Sequence, residues 1–343
     1  MVLSPSRSVA DLAAGDPADE VITVASLVKR YGTVEAVRGI DLTVKRGEIF
    51  GFLGPNGAGK STTISVLCTL LKPTSGTASI AGLDVNRDPD GIRSRIGLVF
   101  QDPSLDVQLT ARENLLFHAM AYGVPRGQRK ARISQALVTV DLVDRADALV
   151  STFSGGMKRR LEIARGILHH PEVLFLDEPT QGLDPQTRAN VWDHLREIRA
   201  TTGLTIFMTT HYMEEAEWCD RIAIIDHGTI VALGSPDELK AQVGGDIVVV
   251  STADNARAVE EIARKLGATA LVDGESLRIE VSDGSAFVPQ LVMALSMPVE
   301  NVTVRRPSLD DVFLKLTGRA IREEEGAGRA AMMRAFAMRR GGR

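Results

Sequence analysis

The feature that most constrains the fold is a glycine-rich segment between two apolar runs, which reads Gly54-Pro55-Asn56-Gly57-Ala58-Gly59-Lys60-Ser61-Thr62. The segment fits the phosphate-binding pattern G-x-x-x-x-G-K-[ST]. The apolar run before it predicts a strand over residues 49–53, and the run after it predicts a helix over residues 62–71. In this context successive backbone N–H groups converge on one anion, and the helix N-terminus adds positive potential. The sequence therefore predicts an α/β domain that binds the phosphates of a nucleotide.

Composition excludes several other classes of protein. The chain has 343 residues, of which 44% are hydrophobic and 24% are charged, as in an ordinary soluble protein. A net charge of −4 gives no general attraction to nucleic acid, so no nucleic-acid partner is expected. No apolar run is long enough to span a membrane, and Cys68 and Cys219 are not spaced as metal ligands. Residues 1–20 lack the apolar core of a signal peptide and are predicted to be a disordered lead-in.

The rest of the chain is predicted to form two domains. Residues 21–240 alternate short β-rich runs with helical ones, which indicates a mainly parallel sheet covered by helices. Within them, residues 102–170 are mostly helical and separate two strands that should be neighbours, so they are predicted to form a lobe beside the sheet. Residues 245–320 follow the order βαββαβ, which predicts a small α+β accessory domain. Residues 321–343 form a basic tail.

Two further segments carry candidate chemistry. Asp177 and Glu178 follow an apolar strand-like run, where side chains of open α/β sheets meet their ligands. A carboxylate there can hold Mg²⁺, and a second can act as general base for an attacking water. Ser154-Gly155-Gly156 precedes a helix-like run and predicts a second anion site, although taken alone it also fits a loop or a helix cap.

Together these segments resemble the ATP-binding-cassette (ABC) ATPases, a branch of the P-loop NTPases. The resemblance matches residues 54–62 to the Walker A motif, Gln101 to the Q-loop and Ser154-Gly155-Gly156 to the family signature. It matches residues 174–178 to the Walker B motif, Asp184 to the D-loop, His211 to the switch histidine and Tyr31 to the aromatic that stacks on adenine. It implies a RecA-like core, a β-rich N-terminal part and a helical subdomain over residues 102–170.

The resemblance also implies the cofactors, the partners and the role of each residue. ATP would be bound with Mg²⁺, whose ligands would be Ser61, Gln101 and Asp177. Lys60, Glu178 and His211 would be catalytic. The signature residues and Asp184 would act across a head-to-tail homodimer on the ATP of the other subunit. The signature departs from the family pattern at position 157, where Met replaces the usual Gln and cannot hydrogen-bond as an amide would.

The branch of the family is indicated by finer resemblance. Residues 153–165, 178–185 and 306–318 are similar to the ATPase subunits of daunorubicin-resistance-type drug exporters, which pair with a separate integral-membrane permease. This implies a peripheral location on the cytoplasmic face of the cell membrane and ATP-driven efflux of a drug-like or other hydrophobic substrate. An importer subunit and a soluble, non-transport ABC ATPase are the alternatives. The residues do not identify the cargo.

Overall fold

The computed structural model describes residues 19–318, which form two compact units that divide between Leu233 and Gly234. The predicted basic tail over residues 321–343 lies outside the described residues. So does the lead-in except for its last two residues, of which Glu20 already begins the first strand. The domain limits at residues 240 and 245 stay predictions.

The first unit contains ten strands and seven α-helices within the described residues. In chain order they are β1 (Glu20–Tyr31), β2 (Val34–Lys45), β3 (Ile49–Leu53), α1 (Lys60–Leu67), β4 (Ser75–Ile80), β5 (Leu83–Asp84), α2 (Pro89–Arg95), β6 (Ile96–Val99), α3 (Ala111–Ala121), α4 (Arg126–Thr139), α5 (Gly155–Ile167), β7 (Val173–Asp177), α6 (Pro185–Thr202), β8 (Thr205–Thr210), α7 (Met213–Ala216), β9 (Arg221–Asp226) and β10 (Thr229–Gly234).

A six-stranded sheet forms the centre of this unit, in the order β10-β9-β3-β8-β7-β6. Strand β3 runs parallel to β8 and β9, and β7 runs parallel to β8 and β6. Every residue of β3, β7 and β8 is buried. Such continuous burial requires cover on both faces, which explains why these strands are apolar runs without alternation. The predicted α/β core is confirmed, and the carboxyl ends of three central strands lie together at one edge.

A second, antiparallel sheet, in the order β2-β1-β4-β5, forms the β-rich N-terminal part. Its inward side chains belong to the same hydrophobic cluster as one face of the central sheet. Ile22 and Ile40 from the antiparallel sheet, and Phe50 and Phe207 from the parallel one, are all at most 2% exposed in that cluster. The shared core fixes the strand that leads into the glycine-rich loop.

The helical region between β6 and β7 contains α3, α4 and α5. Although these two strands are separated by more than 70 residues in the chain, they pair in parallel, with Ile96 opposite Val173. Helix α3 begins with a reciprocal cap in which Thr110 accepts from the N–H of Glu113 and Glu113 accepts from the N–H of Thr110. The prediction that strands on either side of the helical block are neighbours is confirmed.

The second unit has four strands and four α-helices among the described residues. They are α8 (Pro236–Ala241), β11 (Asp246–Thr252), α9 (Asn255–Leu266), β12 (Ala270–Asp273), β13 (Ser276–Val281), α10 (Gly284–Ala294), β14 (Val299–Arg305) and α11 (Leu309–Thr317). The strands form an antiparallel sheet in the order β12-β13-β11-β14, and residues of α9 and α10 share a hydrophobic cluster with it. The predicted βαββαβ topology is confirmed.

Helix α11 is attached to this unit by a buried carboxylate. Asp311 is 2% exposed and contacts two arginines, Arg278 Nη2 at 2.9 Å and Arg305 Nη2 at 2.8 Å. Its neighbours on β13, Leu277 and Ile279, belong to the α9–α10 cluster, so alternation along the strand directs Arg278 to the other face of the sheet. Asp311, in the acidic first turn of the helix that ends the accessory domain, therefore has a structural role, because it attaches α11 to the sheet.

Candidate active site

The glycine-rich loop connects β3 to α1 at the carboxyl edge of the central sheet. Gly59 precedes the helix with φ at 111°, and a Cβ added there would lie 2.5 Å from the carbonyl oxygen of Ala36. Glycine is therefore required by both the backbone conformation and the close approach. In the described part of the chain, no side chain caps α1. Its first N–H groups are thus directed at the loop, as in a phosphate-binding turn.

The Lys60 side chain lies inside this loop and is only 4% exposed. Its Nζ donates to the carbonyl oxygens of Gly54 at 2.7 Å and Pro55 at 3.1 Å. The same Nζ lies 3.2 Å from Glu178 Oε1. A buried ammonium needs such partners, and they place the charge between the loop and the end of β7.

The end of β7 is connected to the loop through hydroxyl groups. Ser61 Oγ donates to Asp177 Oδ1 at 3.2 Å, and Thr209 Oγ1 donates to the same oxygen at 2.6 Å. Thr209 Oγ1 also accepts from the backbone N–H of Glu178 at 3.0 Å. Sequence reasoning missed Thr209, whose signal is a hydroxyl near the end of a buried strand with an apolar centre. It fixes both members of the acidic pair relative to β8.

Glu178 is the residue at which the predicted catalytic groups meet. Its carboxylate contacts Lys60 through Oε1 and the Nδ1 of His211 through Oε2, the latter also at 3.2 Å. Its backbone has φ at 46°, in the left-handed region. Burial raises the pKa of Glu178, but the close contact with His211 and the charge of Lys60 outweigh burial, so the pKa lies below its ordinary value. The carboxylate is therefore held in its ionised, basic form.

The remaining predicted nucleotide contacts are not brought into this cluster. Among the described residues, Gln101 donates its side-chain amide to Gln181, and no hydrogen bond joins it to Ser61 or Asp177. Tyr31 ends β1 with 46% of its surface exposed, and Lys29 Nζ lies 5.2 Å from its ring centroid. Their assignments to Mg²⁺ and to adenine stay predictions.

The signature segment and Asp184 lie beside each other on the surface. Ser154 begins α5 and its Oγ accepts from the N–H of Met157 at 3.3 Å. Asp184 begins α6 and accepts from the N–H and the hydroxyl of Thr187, at 3.0 and 2.6 Å, which lowers its pKa. A Cβ added to Gly156 would lie 2.4 Å from Thr187 Cγ2, so only glycine permits these two helix starts to pack together.

Two buried charged residues next to the motifs were also missed by sequence reasoning. Arg159, in the helix that follows the signature, is 6% exposed, and Glu215, which follows the switch histidine, is 1% exposed. Glu215 accepts from the hydroxyls of Thr210, at 2.7 Å, and Thr180. Burial raises the pKa of Glu215. In both segments neighbouring charges predict a solvated helix face, and only the folded chain reveals which charge is buried.

The residues present fit a Mg²⁺ ion accompanied by phosphate oxygens better than a metal held by protein alone. Among residues 19–318, no three His, Cys, Asp or Glu side chains are grouped as metal ligands. The hydroxyl of Ser61 and the carboxylate of Asp177 lie 3.2 Å apart at the start of α1. Oxygen donors of this kind, few in number and completed by substrate phosphates, suit Mg²⁺.

Comparison with known proteins identifies the family. The sequence profile of the ABC transporter family matches residues 37–181, and that of the C-terminal domain of DrrA1-3-like ATP-binding proteins matches residues 234–317. The daunorubicin resistance ATP-binding protein DrrA3 of Streptomyces coeruleorubidus is 43% identical over 90% of this chain and 100% of its own length. The chain belongs to the ABC transporter ATP-binding proteins. It is therefore an ATPase of this family, which confirms the predicted family and enzyme class.

Other relatives of this ABC ATPase also align with it over most of both chains. The linearmycin resistance ATP-binding protein LnrL of Bacillus subtilis is 37% identical, over 88% of this chain and 100% of that protein. The Nod factor export ATP-binding protein I of Ralstonia nicotianae is 39% identical, over 88% of this chain and 95% of that protein. The relatives thus include the accessory domain as well as the cassette.

Solved structures of ABC cassettes resemble the fold of this ABC ATPase. Subunit cbiO1 of Clostridium perfringens, part of the transporter complex cbiONQ, aligns with a TM-score of 0.62 at 29% identity, over 73% of this chain and 96% of that one. The cassette MJ0796, solved as a post-hydrolysis dimer with ADP and Pi, aligns with a TM-score of 0.57 at 27% identity, over 62% of this chain and 98% of that one. None of the helices between residues 19 and 318 combines the length and the hydropathy of a membrane span.

Proposed function

We propose that this ABC ATPase is the hydrolysing subunit of an exporter that drives a drug-like or other hydrophobic substrate out of the cell. The observation that carries the catalytic part is the contact of Glu178 with both Lys60 and His211, each at 3.2 Å, at the end of the phosphate-binding loop. Export is supported by the relatives, whose names report resistance to daunorubicin, resistance to linearmycin and export of Nod factor.

In this proposal each residue of the buried cluster has one task. The glycine-rich loop over residues 54–62, through its inward backbone N–H groups, and Lys60 would bind the β- and γ-phosphates of ATP. Ser61 and Asp177 would hold Mg²⁺, which would neutralise phosphate charge. Glu178 accepts a proton from the attacking water, since its lowered pKa keeps it ionised. His211 lies against the same carboxylate and orients it toward the γ-phosphate. With the nucleotide bound, Gln101 would complete the Mg²⁺ site and Tyr31 would stack on adenine.

We also propose that hydrolysis requires two copies of the chain. Ser154, Gly155 and Asp184 are exposed at the starts of their helices, and Gly156 packs beneath them. A helix start that carries a hydroxyl suits an additional phosphate, so these residues close over the ATP of a second subunit. The dimeric form of the similar cassette MJ0796 with ADP and Pi supports this arrangement.

The membrane partner is an integral-membrane permease that carries the cargo, and the dimer binds it at the cytoplasmic face of the cell membrane. Closure of the dimer on ATP changes the conformation of the permease, and hydrolysis resets it. No nucleic-acid partner is proposed, since the net charge is −4. Efflux is measured in cells that express the chain together with a candidate permease. The variant Glu178→Gln, which should bind ATP without hydrolysing it, is the control.

The catalytic proposal is tested with Glu178→Gln. Glutamine retains the shape of the side chain and can still contact Lys60 and His211, but it cannot take a proton. We expect kcat to fall by about 10²–10⁴-fold, the usual contribution of a general base. Binding of ATP should be retained, and an ATP-bound dimer should accumulate on size-exclusion chromatography. A variant that hydrolyses ATP as fast as the parent would show that Glu178 is not the base.

A further inference from the structure

A buried arginine that no motif includes connects three parts of the active site. Arg159 lies one turn into α5, the helix that the signature begins, and is 6% exposed. Its charge is balanced by Glu162, 1% exposed, whose Oε2 lies 3.0 Å from Arg159 Nη1. Two charges removed from water in this way persist only if the remaining donors are also satisfied.

Those donors reach two other segments of the chain. Nη1 of Arg159 donates to the carbonyl oxygen of Phe100 at 2.7 Å, directly before Gln101. Nη2 donates to the carbonyl oxygen of Glu178 at 3.1 Å, and Nε donates to that of Pro179. The guanidinium therefore joins the signature helix, the loop after β6 and the turn that carries the proposed base.

Glu162 extends this connection. Its second oxygen, Oε1, accepts from the N–H of Ser104 at 2.8 Å, and Arg165, one turn further along α5, donates to the carbonyl oxygen of Ser104 at 2.8 Å. The loop that contains Gln101 is thus held to α5 on both sides of that residue, by Phe100 and by Ser104.

The turn at Glu178 needs this support because of its backbone conformation. A φ of 46° is unfavourable for a residue with a Cβ and persists only where the surroundings hold it. Arg159 fixes the carbonyl of that residue, while Thr209 fixes its N–H at 3.0 Å. With the peptide groups held on both sides, the carboxylate is directed at Lys60 and His211.

We infer that Arg159 is a positioning residue for ATP hydrolysis, which aligns Glu178 and couples its turn to the loop of Gln101 and to the signature helix. The inference rests on the proposed function of Glu178 as the base. Arg159 acts through the backbone carbonyl of Glu178 and not through its carboxylate. Its loss should therefore misplace the carboxylate relative to Lys60 and His211.

The first test is Arg159→Lys. Lysine keeps the positive charge beside Glu162, but one ammonium group cannot reproduce the planar set of donors that reaches Phe100, Glu178 and Pro179. We expect kcat to fall by about 10²-fold, as for a misplacement of about 1 Å. The dissociation constant for ATP should stay close to that of the parent, because the contacts that Arg159 makes do not involve the phosphate-binding loop.

The matched control is Arg160→Lys, the same substitution one position later. Arg160 Nη1 contacts the carbonyl oxygens of Val140, at 2.9 Å, and Asp141, at 3.2 Å, all within the helical region. We expect its kcat to stay within about threefold of the parent, because these contacts do not reach Phe100, Glu178 or Pro179. If Arg159→Lys also stays within threefold, the inference is overturned.

A second variant addresses folding. Arg159→Met with Glu162→Met removes both buried charges at once, a replacement that folded proteins often tolerate. A folded double variant with normal kcat would overturn the inference. A joint loss of ATP binding, unfolding temperature and kcat in both variants would also overturn it, since the role would then be structural. Failure of the proposed function is recognised separately, by normal hydrolysis in Glu178→Gln.

Discussion

The two halves of the proposed nucleotide site differ in burial and in what their side chains contact. Lys60, Glu178 and His211 are 4%, 6% and 9% exposed, and Lys60 and His211 both contact the carboxylate of Glu178. Ser154 and Asp184 are exposed, and in the described part of the chain their side chains bond only to the first turns of the helices they begin. One half is thus assembled within the subunit, whereas the other presents polar groups outward.

This difference indicates how the two halves should respond to substitution. Charges that are buried and mutually paired depend on every partner, so removal of one leaves the others uncompensated. An exposed helix start retains its structure as long as any good capping residue is present. Activity should therefore depend on both the shape and the charge of the side chains in the buried half, but only on their charge in the exposed half.

The largest effect is expected for Lys60→Ala. The substitution removes the ammonium that would bind two phosphates and leaves Glu178 buried without its cation. At about 1.5–3 kcal/mol for each hydrogen bond to a charged group, the affinity for ATP should fall by roughly 10²-fold or more. Isothermal titration with ATP measures this, and turnover should be absent.

The control for this prediction is Lys72→Ala, which removes an exposed lysine from the same unit. Its affinity for ATP and its turnover should match those of the parent. Normal turnover by Lys60→Ala would contradict the assignment of the loop as the phosphate site.

The next effect concerns the exposed half, through Ser154→Asp compared with Ser154→Asn. Both residues cap a helix as well as serine does, so α5 should keep its start in each. Only aspartate places a negative charge where the phosphates of a second subunit would lie. We expect ATPase activity to fall by about tenfold or more for Ser154→Asp and to stay within a few-fold for Ser154→Asn, with monomer affinity for ATP unchanged in both.

Mixing variants decides whether this half acts across the dimer. In a dimer of one Lys60→Ala and one Ser154→Asp subunit, one site carries both defects and the other is intact. When equal amounts of the two variants pair at random, half of the dimers are mixed, and each mixed dimer has one intact site of two. Activity should therefore recover to roughly one quarter of the parent, well above either variant alone. Absence of recovery would mean that Ser154 serves the nucleotide of its own subunit.

A smaller effect is expected for the pH dependence of His211→Ala. Burial raises the pKa of Glu178. Among the groups that bring this pKa below 4.5, His211 has the largest effect. Without His211 the pKa of Glu178 should rise, so the acid side of the kcat/KM profile should move to higher pH. An unchanged acid side would mean that another group titrates.

The same pKa shift has a consequence for stability. A carboxyl whose pKa is lowered by folding stabilises the protein above its unfolded pKa of about 4.5, and this contribution is lost as the pH falls through the lower folded value. Urea unfolding of the parent at a series of acidic pH values should show the loss. The loss should be smaller in His211→Ala.

Most of the fold could be predicted because its central strands are apolar without interruption. The sequence predicts strands over residues 221–226, 246–252, 276–281 and 299–305, and the structure gives β9, β11, β13 and β14 these bounds. The prediction was wrong at α1, expected over residues 62–71 and found over Lys60–Leu67. The helix begins inside the glycine loop without a side-chain cap. It ends before Thr69, whose φ of 60° is not helical.

In the site, the sequence predicts residues whose type is demanded by the chemistry and misses those whose role depends on burial. Lys60 and Glu178 lie 118 positions apart, and yet the motifs around them place both at one edge of a parallel sheet. Arg159 stands among Lys158, Arg160 and Arg165, and nothing in that charge pattern distinguishes it from a solvated neighbour. Its partners lie on other segments of the chain and are known only from the folded structure.

The smallest effect is expected for Met157→Gln, which restores the residue usual in the family signature. In this structure position 157 acts on Ser154 through its backbone N–H, at 3.3 Å, and its side chain is partly exposed. The cap of α5 should therefore not change, and the ATPase rate should stay within about twofold, as is usual for a partly exposed substitution outside a network. A large rise in the rate, measured at saturating ATP, would show that the side chain contacts the nucleotide of the second subunit. The exposed half would then be sensitive to hydrogen-bonding shape as well as to charge.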